Sequence, residues 1–262
     1  MKLPNLYHRE FGNPENPPIV VLHGLLGSSR NWLKMASLLS KEYWVCLLDL
    51  RNHGKSFHHN QMDYSDLVED LEQWRNTQSI TRFNLIGHSL GGKIAMKYSV
   101  LHPRIIESLV IVDIAPRDYS PHYRREFEAL NHLPLERINS RKDAEDFIFP
   151  WVPDWAMRQF LLTNLQRSGK SSFSWQINLG ALTEALVDLS RNPLTLGQCF
   201  TGRTLFLKGD QSRFVLPSDY PSVHAYFPKT TITTLKESGH NPHIDQPEAF
   251  LEEVLHFLSP KQ

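Results

Sequence analysis

Short apolar runs alternate with amphipathic stretches through the first half of the chain. Residues 17–24 (PPIVVLHG), 43–51 (YWVCLLDLR), 83–87 (FNLIG) and 106–116 (IESLVIVDIAP) are apolar, largely β-branched and of strand length. That is the pattern of strands buried on both faces. Between them, residues 31–40 (NWLKMASLLS), 64–77 (YSDLVEDLEQWRNT) and 92–103 (GKIAMKYSVLHP) read as helices. In the second of these, Leu67, Val68, Leu71 and Trp74 make an apolar stripe at three- and four-residue spacing, and Ser65 is the expected N-cap. Strands alternating with helices imply a parallel sheet covered on both faces, with ligands at the carboxyl ends of its strands.

The alternation lapses from about Arg117 to Leu196. Residues 123–130, 155–166 and 181–191 are helical in pattern there, among scattered aromatics (Trp151, Trp155, Phe173, Trp175). Strand–helix order resumes with residues 203–210, 230–240 and 247–258. The expected architecture is α/β: a core of residues 1–116 and 197–262, split by a helical cap, 117–196, inserted after the sixth strand and roofing the strand ends.

Composition narrows the function. Lys+Arg and Asp+Glu both number 28 in 262 residues, so no net field recruits nucleic acid or an anionic membrane. Two cysteines, Cys46 and Cys199, build neither a disulfide framework nor a metal cluster. MKLPNLYHREFG lacks the apolar stretch of a leader, and no window is long enough for a membrane span. A cytoplasmic protein acting on a small molecule, without metal or organic cofactor, is expected.

The chemistry concentrates at residues 83–96, FNLIGHSLGGKIAM. Gly87-His88-Ser89-Leu90-Gly91 has the form G-x-S-x-G between a strand and a helix, the nucleophile elbow in which strain presents a serine hydroxyl above the sheet. Such a serine needs a base and an acid to orient it. His240, on the glycine-containing loop after the last strand, fits the chain order nucleophile, acid, histidine. His243 reads as structural, His88 as pointing elsewhere, His23 and His53 as loop braces, and His58 and His59 as solvated. Two acids compete. In GDQSRFV, where G-x-x-D-x-x-V would carry the acid, the fourth position is Ser212 and Asp210 lies two residues early. Asp113 ends an apolar strand at the same rim, where a carboxylate needs a partner, and is preferred over Asp210. Backbone N–H groups of Leu25, in LHGLLGS, and of Leu90, after the serine, are the expected oxyanion donors.

HGLLGS, LDLRNHGKS, GHSLGGK, VDIAPRDY and SGHNPHIDQPEAF together resemble the α/β-hydrolase superfamily, and within it the small bacterial esterases of the YbfF type with their ABHD-eleven-like eukaryotic relatives. The resemblance implies a four-helix cap and a triad with a serine nucleophile and an acid on the sixth strand, which falls here on Ser89, Asp113 and His240. The expected activity is hydrolysis of carboxylic esters, thioesters included, of short-to-medium acyl chains through an acyl-Ser89 intermediate. The alternatives are a lyase or C–C hydrolase of the menaquinone-pathway synthase type, which needs basic cap residues for an anionic substrate, and a non-catalytic ligand receptor. Arg124, Arg125, Arg137, Arg141 and Arg158 are interspersed with acids and read as a solvated face. Trp151, Trp155 and Trp175 fit an acyl pocket or cap packing equally well.

Overall fold

The computed structural model describes residues 5–121, 123–169 and 172–259. Among them the strands are β1 (His8–Phe11), β2 (Pro18–Leu22), β3 (Trp44–Leu48), β4 (Phe83–His88), β5 (Ile106–Val112), β6 (Leu165–Arg167), β7 (Phe173–Trp175), β8 (Arg203–Gly209) and β9 (Thr230–Leu235). The helices are α1 (Leu33–Leu39), α2 (Tyr64–Thr77), α3 (Leu90–Leu101), α4 (Arg124–His132), α5 (Arg141–Ile148), α6 (Trp155–Leu162), α7 (Leu179–Ser190), α8 (Tyr220–Tyr226), α9 (Pro242–Asp245) and α10 (Pro247–Leu258). None is long and apolar enough to cross a membrane.

Seven strands form one sheet in the order β1-β3-β2-β4-β5-β8-β9. All neighbours are parallel except the edge pair β1 and β3. β1 has no apolar signature, since HREF holds one large apolar residue and pairs along an edge. Counting β1, the strand that runs into Asp113 is the fifth among the described residues, not the sixth. Side chains alternate across the sheet. Val20, Leu22, Leu85, Leu109 and Ile111 join one core with α2 and α3, while Ile19, Val21, Ile86, Val110 and Val112 join another with α1 and α10. Period-two alternation into two dry cores fixes register, because a one-residue slip would exchange the two sets.

The helix starts are set by caps. α2 spans the expected residues, but Asp63 rather than Ser65 is its cap, accepting hydrogen bonds from the Ser65 and Asp66 amides at 2.7 and 2.9 Å. Between β5 and β8 the chain forms α4 to α7, with the antiparallel hairpin β6–β7 between α6 and α7. That hairpin is absent from the sequence reading, in which residues 155–166 continue as one helix. α6 stops at Leu162, and the Asn164 amide turns back to the Leu26 carbonyl at 2.8 Å, tying the insertion to the loop after β2.

That loop is braced by neutral histidines. His23 Nδ1–H donates to the Gly24 carbonyl (2.8 Å) while its Nε2 accepts from the Leu50 amide (3.1 Å). His53 repeats the arrangement with the Arg51 carbonyl (2.9 Å) and the Leu26 amide (3.1 Å). Behind them His243 stacks on Trp32 with ring centroids 4.0 Å apart. Burial lowers His23 from its ordinary value and pulls His53 and His243 down to about 3.

Two expectations follow from this packing. A Cβ at Gly91 would lie 2.4 Å from the Leu22 carbonyl oxygen, backbone that cannot move without opening the sheet. Gly91→Ala should cost about 3 kcal/mol or more in denaturant melts; a loss below about 1 kcal/mol would mean that the strand–helix approach is looser than described. The buried histidines stay neutral in the fold and gain protons on unfolding, so the unfolded state binds more protons below its ordinary histidine pKa of about 6.5. Stability should therefore fall as pH drops from about 6.5 towards 3, by about 1.4 kcal/mol per pH unit for each of His53 and His243, with His23 adding in the same direction. Urea melts across that range check this, and a flat profile down to pH ~4 would show that the rings titrate freely.

Candidate active site

Ser89 lies between β4 and α3 at φ +52°, left-handed backbone that a non-glycine residue adopts only under constraint. The constraint is visible on both sides. A Cβ at Gly87 would stand 2.3 Å from the Gly91 carbonyl oxygen, so helix and strand approach as only glycine allows. The Ser89 amide donates to the Val112 carbonyl at 3.1 Å and locks the turn to β5.

One residue past that carbonyl, Asp113 is also at positive φ, +51°, and is completely buried. Its carboxylate accepts from the Gly209 amide at 3.2 Å, from the Ser212 hydroxyl and from His240 Nδ1 at 2.7 Å. The carboxylate can only accept from the ring, so Nδ1 carries the proton and Nε2 is the free base. Nε2 lies 3.1 Å from Ser89 Oγ. Ser89, His240 and Asp113 are thus joined in one hydrogen-bonded line. Asp210 is not part of it: its carboxylate accepts from the Ser238 amide at 3.2 Å, a bond that holds it below the usual carboxylate range. Asp245 takes the Gly239 amide at 2.8 Å, so two acids pin the loop that carries His240.

Three further residues at the site escape the sequence reading. His88 does not point away: its Nε2–H donates to the His240 backbone carbonyl at 2.8 Å and ties the elbow to the histidine loop. Phe214 stacks on the His240 ring, centroids 3.7 Å apart, and its carbonyl accepts from Tyr119 Oη at 2.5 Å. Lys93, buried on α3, donates to the Leu189, Ser190 and Arg191 carbonyls at 3.3, 2.8 and 2.7 Å at the end of α7. Burial pulls its ammonium down to about 7. A lone charge in the apolar run GGKIAM was the available signal for it.

Two cavities meet at Ser89. The larger, about 750 Å³, reaches His240 and is walled by Leu25, Met157, Phe160 and Phe214, with Glu126, Asp154 and Arg213 among its polar residues. The smaller, about 50 Å³, is lined by Leu90, Ile114, Leu186 and Leu189 among others. None of the five insertion arginines singled out in the sequence lines either cavity. Arg158 departs from the expected solvated face, being buried with its guanidinium on the carbonyls of Val152 and Pro153, whereas Arg141 is exposed and donates to the carbonyls of Leu162 and Leu165. Trp151, Trp155 and Trp175 also lie off both cavities; Trp151 stacks on Phe147, and Trp155 is exposed.

Comparison with known proteins identifies the fold and the family. The family model for the alpha/beta hydrolase fold matches residues 17–247. A zebrafish (Danio rerio) protein named sn-1-specific diacylglycerol lipase ABHD11 is 34% identical over 98% of this chain and 83% of its own length. Esterase YbfF of Escherichia coli is 30% identical over 93% of this chain and 94% of its own. A solved structure titled marine microorganism esterase superposes with a TM-score of 0.94 at 31% identity, covering 98% of this chain and all of that one. With a family model spanning most of its length and relatives at 30% identity or more, the chain belongs to the α/β-hydrolase family.

Proposed function

We propose that this protein hydrolyses carboxylic esters, thioesters included, through an acyl intermediate on Ser89. The observation that carries the reading is the continuous line from Ser89 Oγ through His240 to the buried Asp113, at the meeting point of two cavities. The printed names of the relatives, lipase and esterase, support it. In this reading Ser89 Oγ attacks the acyl carbon as its proton passes to His240 Nε2, and Asp113 stabilises the imidazolium that forms. The amides of Leu25 and Leu90 receive the oxyanion; Leu90 opens α3, where N–H groups have no partner within the helix. His240 then returns the proton to the leaving alcohol, and water releases the acyl group by the same steps in reverse order.

Ser212 occupies the position where G-x-x-D-x-x-V would place the acid. Its hydroxyl donates to Asp113, and with the Gly209 amide it supplies the carboxylate with donors besides the ring. Asp113 is therefore the orienting acid in this proposal, and Asp210 a loop brace. Residues 117–196 act as a cap over the site, and the substrate is a small-molecule ester met in a reducing, cytoplasmic setting. Arg213 in the large cavity is outnumbered by Glu126, Asp154 and Asp245, and Lys93 in the small one is bonded to three backbone carbonyls, which weighs against a site built for an anionic substrate.

Steady-state kinetics on p-nitrophenyl acetate test the assignment. Ser89→Ala should lower kcat by on the order of 10⁶ and Asp113→Asn by on the order of 10⁴. Asp210→Asn should stay within about tenfold of the parent, since it loses contacts only to backbone. A collapse with Asp210→Asn alone would transfer the acid's role to that residue, and undiminished turnover by Ser89→Ala would end the serine-hydrolase reading.

A further inference from the structure

The two cavities differ in one respect that bears on the substrate: His240 lines the large one and not the small one. On the proposed reaction, with which this inference stands, four groups surround the acyl carbon after attack. Ser89 Oγ is one, and the oxyanion held by the two amides is the second. The third is the alcohol oxygen, which must face His240 Nε2 to be protonated as it leaves. The alcohol portion therefore extends into the cavity that contains His240. The fourth, the acyl chain, is directed away from His240, towards the cavity shared by Ser89 and Leu90.

We infer that the small cavity is the acyl pocket, that it confines the enzyme to acyl chains of two to about five carbons, and that the large cavity holds the alcohol. A volume of about 50 Å³ has room for roughly three to five groups the size of a water or a methyl. Its walls around Ser89 are largely apolar, with Leu25, Leu90, Ile114, Leu186, Leu189 and Phe214 for an alkyl chain to lie against, while Lys93, Ser120 and Ser190 also line it. The wall from α7 is also fixed in place. Lys93 binds three of the last carbonyls of α7 and its exit, and Tyr64 Oη donates to the Leu189 carbonyl at 2.6 Å. A longer chain cannot push Leu186 and Leu189 outward without breaking these bonds. The alcohol side carries no such restriction: its cavity is about 750 Å³ and mixes apolar walls with polar residues, as a bulky, partly polar alcohol would need.

The test is a series of p-nitrophenyl esters from acetate to octanoate, read as kcat/KM, with the full-length protein and its Leu186→Ala and Leu186→Val variants. The parent should be best at four carbons or fewer and fall at least about tenfold by octanoate. Leu186→Ala should move that fall two or three carbons upward, and Leu186→Val, the milder cut, about one. Butanoyl esters of alcohols from ethanol to naphthol should show no comparable fall with size. A parent that improves steadily to octanoate, or a Leu186→Ala variant that folds and keeps the same cut-off, overturns the acyl-pocket assignment. Labelling by an alkyl fluorophosphonate, lost in Ser89→Ala, separates that result from failure of the hydrolase reading. Normal labelling with the wrong length profile rejects only the pocket, whereas no labelling and no turnover on any ester rejects both.

Discussion

The carboxylate of Asp113 is fully shielded from water, and the imidazole it meets belongs to a residue 127 positions later. A carboxylate at such depth is tolerated only when its oxygens are met by donors, because desolvation costs several kcal/mol otherwise. Here three donors converge from two directions: the Gly209 amide and Ser212 hydroxyl from the loop after β8, and the His240 ring from the loop after β9. Satisfying one buried acid thus ties three strand ends together at one level of the sheet. It also settles the ring's tautomer, and through the tautomer which nitrogen faces the serine. The geometry around Ser89 follows from that single solvation problem.

Rigidity around this point comes from contacts that do no chemistry in the proposed mechanism. Gly87 and Gly91 let α3 pass against the sheet, and His88 binds the backbone of His240 across the elbow. Phe214 holds the ring by its face. Asp210 and Asp245 fasten the amides on the near side of the histidine loop. An imidazole whose backbone, ring plane and Nδ1 are all held would lose little freedom in the proposed proton transfer, which is the sense in which a site is preorganised.

The sequence disclosed much of this because the relevant signals are local. An apolar run followed by G-x-S-x-G leaves few readings for Ser89, and a carboxylate closing the run SLVIV announces an unmet need for a partner. What it withheld depended on partners far along the chain. β1 carries no apolar pattern because an edge strand pairs by backbone alone. Lys93 makes sense only beside the end of α7, nearly a hundred residues on. His88 looked idle because its acceptor is a main-chain oxygen, which leaves no residue type to find. The tryptophans were undecided for the opposite reason: large aromatics suit a binding wall or packing alike, and among the described residues Met157, Phe160 and Tyr123 serve as wall here.

The hydroxyl of Ser212 and the carboxylate of Asp113 come from adjoining parallel strands whose ends finish side by side. What the base requires is negative oxygen at one location, and both strand ends arrive there. The charge has an address rather than an owner, so descent can pass it from one strand to its neighbour while the histidine and serine keep their places.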